Sequence, residues 1–353
     1  MARGVARPTG DALASLPVAV DAMGGDRAPD EIVAGARQVA EQTGITVALV
    51  GRPGAMGDTG DLPCFPASEV IGMDDDPGQG VRRKKDSSLV RAAEAVRDGR
   101  AMAMVSAGNT GAAMASALLR MGRLPNVIRP AIATPIPNLH RAWPTVLLDS
   151  GANAECTSPM LVQFAQMGAA FARKRYGVER PRVALLSIGE EKSKGTPLEK
   201  ETHAQLAAGA GGSGFDFVGN VEGRDFFDDS ADVVVTDGFT GNVALKTMEG
   251  TLRFLIGALT EILSRPEAAE AAAALYPQLL PLAANLDPDS TGGAMLLGVD
   301  GVCVISHGSS SAAAMVNAIT AAHDLAVGGL VEALAASVTP APVPDGAGAT
   351  ERA

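Results

Sequence analysis

Asp237, Thr240 and Asn242 are three polar side chains delivered close together by the stretch ADVVVTDGFTGNVALK, residues 231–246. Val233, Val234 and Val235 form a β-branched run of the kind found in strands buried on both faces. The apolar pattern breaks at Thr236-Asp237-Gly238 and resumes with helical spacing at Leu245. Such a strand end is where open α/β sheets bind ligands, because the first N–H groups of the following helix are unpaired. Gly238 and Gly241 would let backbone approach a ligand closely. The same residues also suit ordinary turn and cap chemistry, so this stretch alone leaves two readings open.

Other turns repeat the theme. Residues 23–26 contain Gly24, Gly25 and Asp26; residues 107–111 contain Gly108, Asn109 and Thr110. Residues 189–195 contain Lys192 and Lys194, and residues 307–311 contain His307, Gly308 and Ser309. Each is weak evidence. Together they describe a crevice rich in backbone donors with one or two lysines, which is an anion site, most simply for phosphate. No G-x-x-x-x-G-K-[ST], G-x-S-x-G or H-E-x-x-H pattern occurs, so these motifs assign no cofactor and no metal. Residues 209–214 match G-x-G-x-x-G, but they follow a predicted helix and precede a predicted strand. That order is inverted for a dinucleotide site, and the segment reads as a linker.

The elements that must position these turns alternate strand and helix. Predicted strands span 17–21, 45–50, 101–106, 131–135, 145–149, 182–188, 215–218, 231–235 and 302–306. Predicted helices span 29–42, 89–97, 112–121, 159–176, 197–208 and 243–263. The alternation predicts an α/β fold with a mostly parallel sheet. Residues 52–80 read as irregular. Helix 243–263 places Leu245, Met248, Leu252, Leu255, Leu259 and Ile262 in a seam widened by Ile256 and Leu263. The seam predicts burial against another helix, across a homodimer interface, with lipid contact as the alternative. Residues 1–16 read as a flexible lead, 17–335 as one α/β domain including helical segment 243–285, and 338–353 as a disordered tail.

Composition sets further bounds. Hydrophobic residues make up 46 % of the 353 and aromatics 3 %, which suits helices packed closely on a parallel sheet. A net charge of −11 argues against wrapping nucleic acid. Against that acidity, Arg82, Arg83, Lys84 and Lys85 stand just before a helix-capping Asp86-Ser87-Ser88. They form either a solvated face or a dock for an acidic partner. Cys64, Cys156 and Cys303 are far apart and lack metal-ligand spacing, which points to a reduced, cytoplasmic compartment. Pro8 to Asp11 stand where a signal peptide would place its apolar core, and no apolar run reaches the roughly 18 residues of a transmembrane helix.

The motifs VDAMGGDRAP, RRKKDSS, VSAGNTGA, LLDSGAN, VTDGFTGN and HGSS, in this order, resemble the phosphate acyltransferases of the PlsX type. The resemblance runs from about Val18 to Ala326; residues 74–80 and 267–285 match less well. It implies conversion of acyl-[acyl carrier protein] and inorganic phosphate to acyl phosphate, feeding glycerophospholipid synthesis. It implies a three-layer α/β/α, Rossmann-like sandwich similar to the isopropylmalate dehydrogenase and phosphotransacetylase group, and a homodimer. Acyl carrier protein, phosphate, peripheral membrane contact and a downstream membrane acyltransferase are the implied partners. Lys194 and Asn242 are the implied catalytic residues.

That chemistry fits the missing motifs. Phosphate is its own nucleophile and the leaving group is a thiolate, so neither a protein nucleophile nor a strong general acid is required. Lys194 would neutralise phosphate charge beside the helix N-termini after Gly108 and Gly308, and Asn242 would donate to the carbonyl oxygen or to phosphate. His307 reads as a proton or hydrogen-bond partner, or as a cap. Asp237 would orient Lys194 or the turn. A short-chain acyl-CoA phosphotransacylase is the alternative activity. A metal-dependent 2-hydroxyacid dehydrogenase lacks a convincing D-x-x-x-D cluster, and a non-catalytic scaffold would bind carrier protein through residues 82–85 without turnover.

Overall fold

Short apolar runs pair into one sheet whose inner strands are too apolar to leave either face in water. The computed structural model describes residues 10–138, 140–209, 214–286 and 288–338. Its strands are β1 (Val18–Asp21), β2 (Val47–Gly51), β3 (Cys64–Pro66), β4 (Ala103–Ser106), β5 (Ala131–Ile136), β6 (Thr145–Leu148), β7 (Arg182–Leu186), β8 (Asp216–Val221), β9 (Val233–Val235), β10 (Ala294–Leu297) and β11 (Val302–Ile305). Its helices are α1 (Asp11–Ala14), α2 (Asp30–Thr43), α3 (Pro77–Arg83), α4 (Ser88–Arg97), α5 (Thr110–Arg120), α6 (Ser158–Tyr176), α7 (Pro197–Ala207), α8 (Gly238–Leu263), α9 (Ala269–Leu286), α10 (Ala312–Val327) and α11 (Leu330–Ser337).

The strand order is β3-β2-β1-β4-β11-β10-β5-β6-β9-β7-β8. Strands β3 to β11 form one parallel block and β6 to β8 another. Between them, β11–β10, β10–β5 and β5–β6 are all antiparallel, so the two blocks run in opposite directions. The sheet is mostly parallel, as expected, but its strand ends do not share one edge. The register brings them together instead. Val304 pairs with Met295, Met295 with Ala133, and Ala133 with Leu148. The ends of β11 and β6 therefore lie level, and the two blocks meet at mid-sheet.

Side chains alternate between the two layers, as strand geometry requires. Val18 and Val20 of β1, with Val302 and Val304 of β11, enter a core shared with α2, α6 and α10. Ala19 and Cys303 enter the opposite core, shared with α4 and α5. Val234 and Leu147 pack under α8, against Leu245 and Met248. The result is the three-layer arrangement. Each Val or Leu so buried contributes about 1.5–3 kcal/mol.

Several expectations are corrected. Segment 52–80 contains β3 and the start of α3, where Pro77 and the Asp76 cap open the helix. Strand β10, unforeseen, is a four-residue run following Gly292 and Gly293, and it is what turns the sheet around. Within the supposed lead, α1 is helical and Leu13 is buried. The tail beyond Val338 and the centre of the G-x-G-x-x-G segment lie outside the described residues.

The single seam on α8 splits in two. Leu245, Met248 and Leu252 line an internal cavity, whereas Leu255, Leu259 and Ile262 are about half exposed. Helix α9 packs back against α8 without covering that outer face. No single described helix is long and apolar enough to cross a membrane. The pair α10 and α11 passes by length and composition but is bent by 61°, and α10 is embedded in the core.

Candidate active site

The turns after β1, β4 and β11 are packed into one another. A Cβ on Gly24 would lie 2.5 Å from Asp21 Oδ2 and 2.9 Å from the Gly108 nitrogen, so only glycine fits between them. The Asp26 amide donates to the Gly308 carbonyl at 2.7 Å, and the Ser306 amide to the Ser106 carbonyl at 2.9 Å. Beneath them Asp21 is fully buried. It accepts from Ser106 Oγ at 2.8 Å, and that hydroxyl accepts from the Gly108 amide at 3.0 Å. Burial pushes the Asp21 carboxyl above the usual range, against the pull of its serine and backbone donors. Gly24, Gly25 and Asp26 thus brace the neighbouring turns.

The opposite block is braced by Asp149, just beyond β6. Its Oδ1 accepts from the amides of Ile132, Gly151 and Ala152, and its Oδ2 from the amide and side chain of Asn153. Against this turn sits the start of α8. A Cβ on Gly241 would lie 1.9 Å from the Asp149 carbonyl oxygen. The space at Gly241 is therefore filled by protein, not kept for a ligand. Asp237 caps α8 by accepting from the amide and hydroxyl of Thr240, both at 2.8 Å. Asp237 and Thr240 are occupied with each other, and their work is to start the helix whose next residue into the cavity is Asn242.

Between the two braced blocks lies a cavity of about 290 Å³. Gly108, Thr110, Ser306, His307 and Gly308 approach it from one block, and Ser150 and Asn242 from the other. Strand β5 crosses it with Ile132, Thr134, Pro135 and Ile136. Thr134 and Ser150 join hydroxyls at 2.6 Å. Helix α8 contributes two adjacent stripes. Asn242, Lys246 and Glu249, at spacings of four and three, make the polar one; Leu245, Met248 and Leu252 make the apolar one. Phe227, Pro137 and Leu286 extend the apolar wall.

Glu249 is buried, and its carboxylate gathers three nitrogen-bearing side chains. Lys246 Nζ lies at 3.0 Å, Arg253 Nη2 at 3.2 Å and His307 Nε2 at 3.8 Å. His307 thereby spans from the β11 turn to the helix that follows β9. Lys246 and Glu249 escaped the sequence reading, as did Thr134, Ser150 and Ser306 as wall residues. The available signal was the spacing of Asn242, Lys246 and Glu249, four and three residues apart, which puts them on one stripe of the helix.

Of the expected site residues, Gly108, Thr110, Asn242, His307 and Gly308 come together in the cavity wall. Asn109 caps α5 and donates to the carbonyls of Met73 and Asp75, so it fastens the segment before α3. Ser309 is exposed. Lys194 is exposed on the loop after β7 and is not part of the cavity wall. The basic run divides: Lys84 bonds the Val70 carbonyl at 2.9 Å and Asp75 at 2.5 Å, while Arg82, Arg83 and Lys85 are exposed. Burial pushes the Cys156 and Cys303 thiols up to about 12, so both are protonated at neutral pH. Among the described residues no cluster of three or more His, Cys, Asp or Glu is placed to hold a metal ion.

A family model described as "Fatty acid synthesis protein" matches residues 16–332. The phosphate acyltransferase of Heliobacterium modesticaldum is 46 % identical over 318 residues, covering 87 % of this chain and 93 % of that protein. The phosphate acyltransferase of Myxococcus xanthus is 48 % identical over 326 residues, covering 89 % and 91 %. Among solved structures, a phosphotransacetylase from Streptococcus pyogenes superposes with a TM-score of 0.60 at 16 % identity, covering 90 % of this chain and 96 % of that one. The EutD phosphotransacetylase from Staphylococcus aureus gives 0.58 at 16 % identity, covering 89 % and 95 %. These structures share the fold.

Proposed function

This chain belongs to the fatty acid synthesis protein family and is similar along most of its length to phosphate acyltransferases, and from that premise we propose that it transfers an acyl group from acyl carrier protein to inorganic phosphate. The acyl phosphate would feed glycerophospholipid synthesis. The observation that carries the reading is a single cavity whose polar end, at Gly108, Asn242, Lys246 and Gly308, continues into an apolar wall of Leu245, Met248, Leu252 and Phe227. An anion and an acyl chain have complementary surroundings there, side by side.

In this mechanism a phosphate oxygen attacks the thioester carbonyl. The carbonyl becomes a tetrahedral oxyanion, the C–S bond breaks, and the carrier leaves as a thiolate. Phosphate is a mixture of monoanion and dianion at neutral pH and the leaving thiol has a pKa of about 8.5, so proton transfer from the protein is not essential. Orientation and charge stabilisation do the work. Asn242 donates its amide to the oxyanion, and the turns at Gly108 and Gly308 supply backbone polarity. Lys194 is proposed as a further phosphate partner, which requires the loop after β7 to carry it to the cavity.

Carrier protein is proposed to dock on Arg82, Arg83 and Lys85. Met73 lines the cavity, and the helix that ends in Arg82 and Arg83 begins four residues beyond it. Assembly as a homodimer is proposed through the exposed apolar face of α8, in the cytoplasm, with peripheral membrane contact. The deciding experiment measures thioester loss from long-chain acyl carrier protein with and without phosphate, beside a short acyl-CoA. Phosphate-dependent loss from the carrier is expected. Faster turnover of the short acyl-CoA would instead establish a short-chain phosphotransacylase.

A further inference from the structure

We infer that Lys246, held by the buried carboxylate of Glu249, is the side chain that binds the charge of phosphate in this cavity, with Glu249 as its positioning residue. The inference rests on the phosphate acyltransferase reading and assigns a residue within its site.

Lys246 is the sole lysine or arginine in the cavity wall among the described residues. It stands one helical turn beyond Asn242, on the same stripe of α8, so a ligand touching the Asn242 amide is within reach of its ammonium. Glu249 lies almost one further turn along and is 6 % exposed. Its oxygens lie 3.0 and 3.2 Å from Lys246 Nζ. A buried carboxylate without cationic partners would cost several kcal/mol, and Lys246 and Arg253 are those partners here.

The balance of charge favours an incoming anion. One carboxylate faces two permanent cations, Lys246 and Arg253. The local charge is therefore positive before phosphate arrives. An ammonium carries three donors, and a carboxylate on one side leaves others for a ligand. Lys246 also keeps about half its side chain exposed, as a group that must meet a ligand should. A free lysine in this position would spread over many rotamers; the bond to Glu249 selects those along the cavity wall. This is preorganisation of the kind that strengthens binding by lowering the ordering cost.

Two measurements on the full-length chain test the assignment. The first is direct binding of inorganic phosphate by calorimetry, which does not depend on acyl transfer. The second is the dependence of thioester loss on phosphate and on acyl carrier thioester. Lys246→Gln should raise the phosphate Kd and KM on the order of 10- to 100-fold, as loss of a charge-assisted bond does. Its KM for thioester should stay within about threefold. Lys246→Arg should restore part of the phosphate affinity, which a purely structural role would not produce. Glu249→Gln should raise the phosphate KM by a smaller factor, with thioester KM again unchanged. Wild-type phosphate affinity in a folded Lys246→Gln protein would overturn the assignment. If Glu249→Gln does not fold, the Lys246 variants still decide. If the wild type binds phosphate through Lys246 but leaves the thioester intact, the acyltransferase reading fails and the binding site stands.

Discussion

Gly241→Ala is the sharpest test of how the start of α8 is seated against the turn after β6. The added methyl would sit 1.9 Å from the Asp149 carbonyl oxygen, 3.0 Å from its carbonyl carbon and 3.1 Å from Thr236 Cγ2. Non-bonded carbon atoms rest at about 3.5–4.0 Å, so the helix start and the β6 turn must separate by about 1 Å or more. The obstacle is backbone, and the Asp149 side chain is held by five donors from four neighbouring residues. The turn therefore resists rotation, and α8 is the part that shifts, taking Asn242 with it. Overpacking of this kind costs about 1–3 kcal/mol. A displacement of about 1 Å at a reacting group costs about 10²-fold in rate. Gly250→Ala is the control, because nothing lies within 4 Å of its Cβ on the same helix. It should gain about 0.5–1 kcal/mol and keep its rate. Thermal unfolding and phosphate-dependent thioester loss read both effects. A Gly241→Ala protein with wild-type Tm and kcat would refute the reasoning.

Three further outcomes are expected. Replacing Arg82, Arg83 and Lys85 with serine should raise the KM for acyl carrier protein and flatten its salt dependence, whereas Lys84→Ser should cost no more than about 1 kcal/mol of stability and leave docking intact. Asp232→Asn should destabilise by about 3–5 kcal/mol at neutral pH, because it leaves the buried Arg141 beside Arg182 with only the exposed Asp229, at 3.5 Å, as an acidic partner. Burial pushes the Asp232 carboxyl up, but bonds from Arg182 and Trp143 outweigh it and hold the carboxyl below its ordinary value; its contribution is therefore present above the unfolded value of about 3.9 and lost as the pH falls through the folded one, so the Tm gap between wild type and variant should close in acid. Leu259→Glu with Ile262→Glu should yield monomers with near wild-type turnover in sedimentation and rate assays, since both side chains point outward; an unchanged dimer would remove this face from assembly.

Local chemistry in the chain determined nine of the eleven described strands, most helices and the turns that end them. Val233–Val235 between polar breaks could be little else than a buried strand, and Asp237, Asn109 and Ser87 cap helices by bonds within three residues of themselves. The ordered motifs identified the family because their types and order are linear information. The tertiary structure decided what those turns face. That β10 and β5 reverse the sheet depends on pairings such as Met295 with Ala133, far apart in sequence and without a local signal. That reversal, with its register, sets the β6 and β11 ends level and makes one cavity from two blocks. It also converts one apolar seam on α8 into a cavity wall and an outer face, and it brings His307 to a Glu249 that Lys246 and Arg253 already flank along the helix. Spacing along a helix says which side chains share a stripe; only packing says whether that stripe meets water, another helix or a ligand.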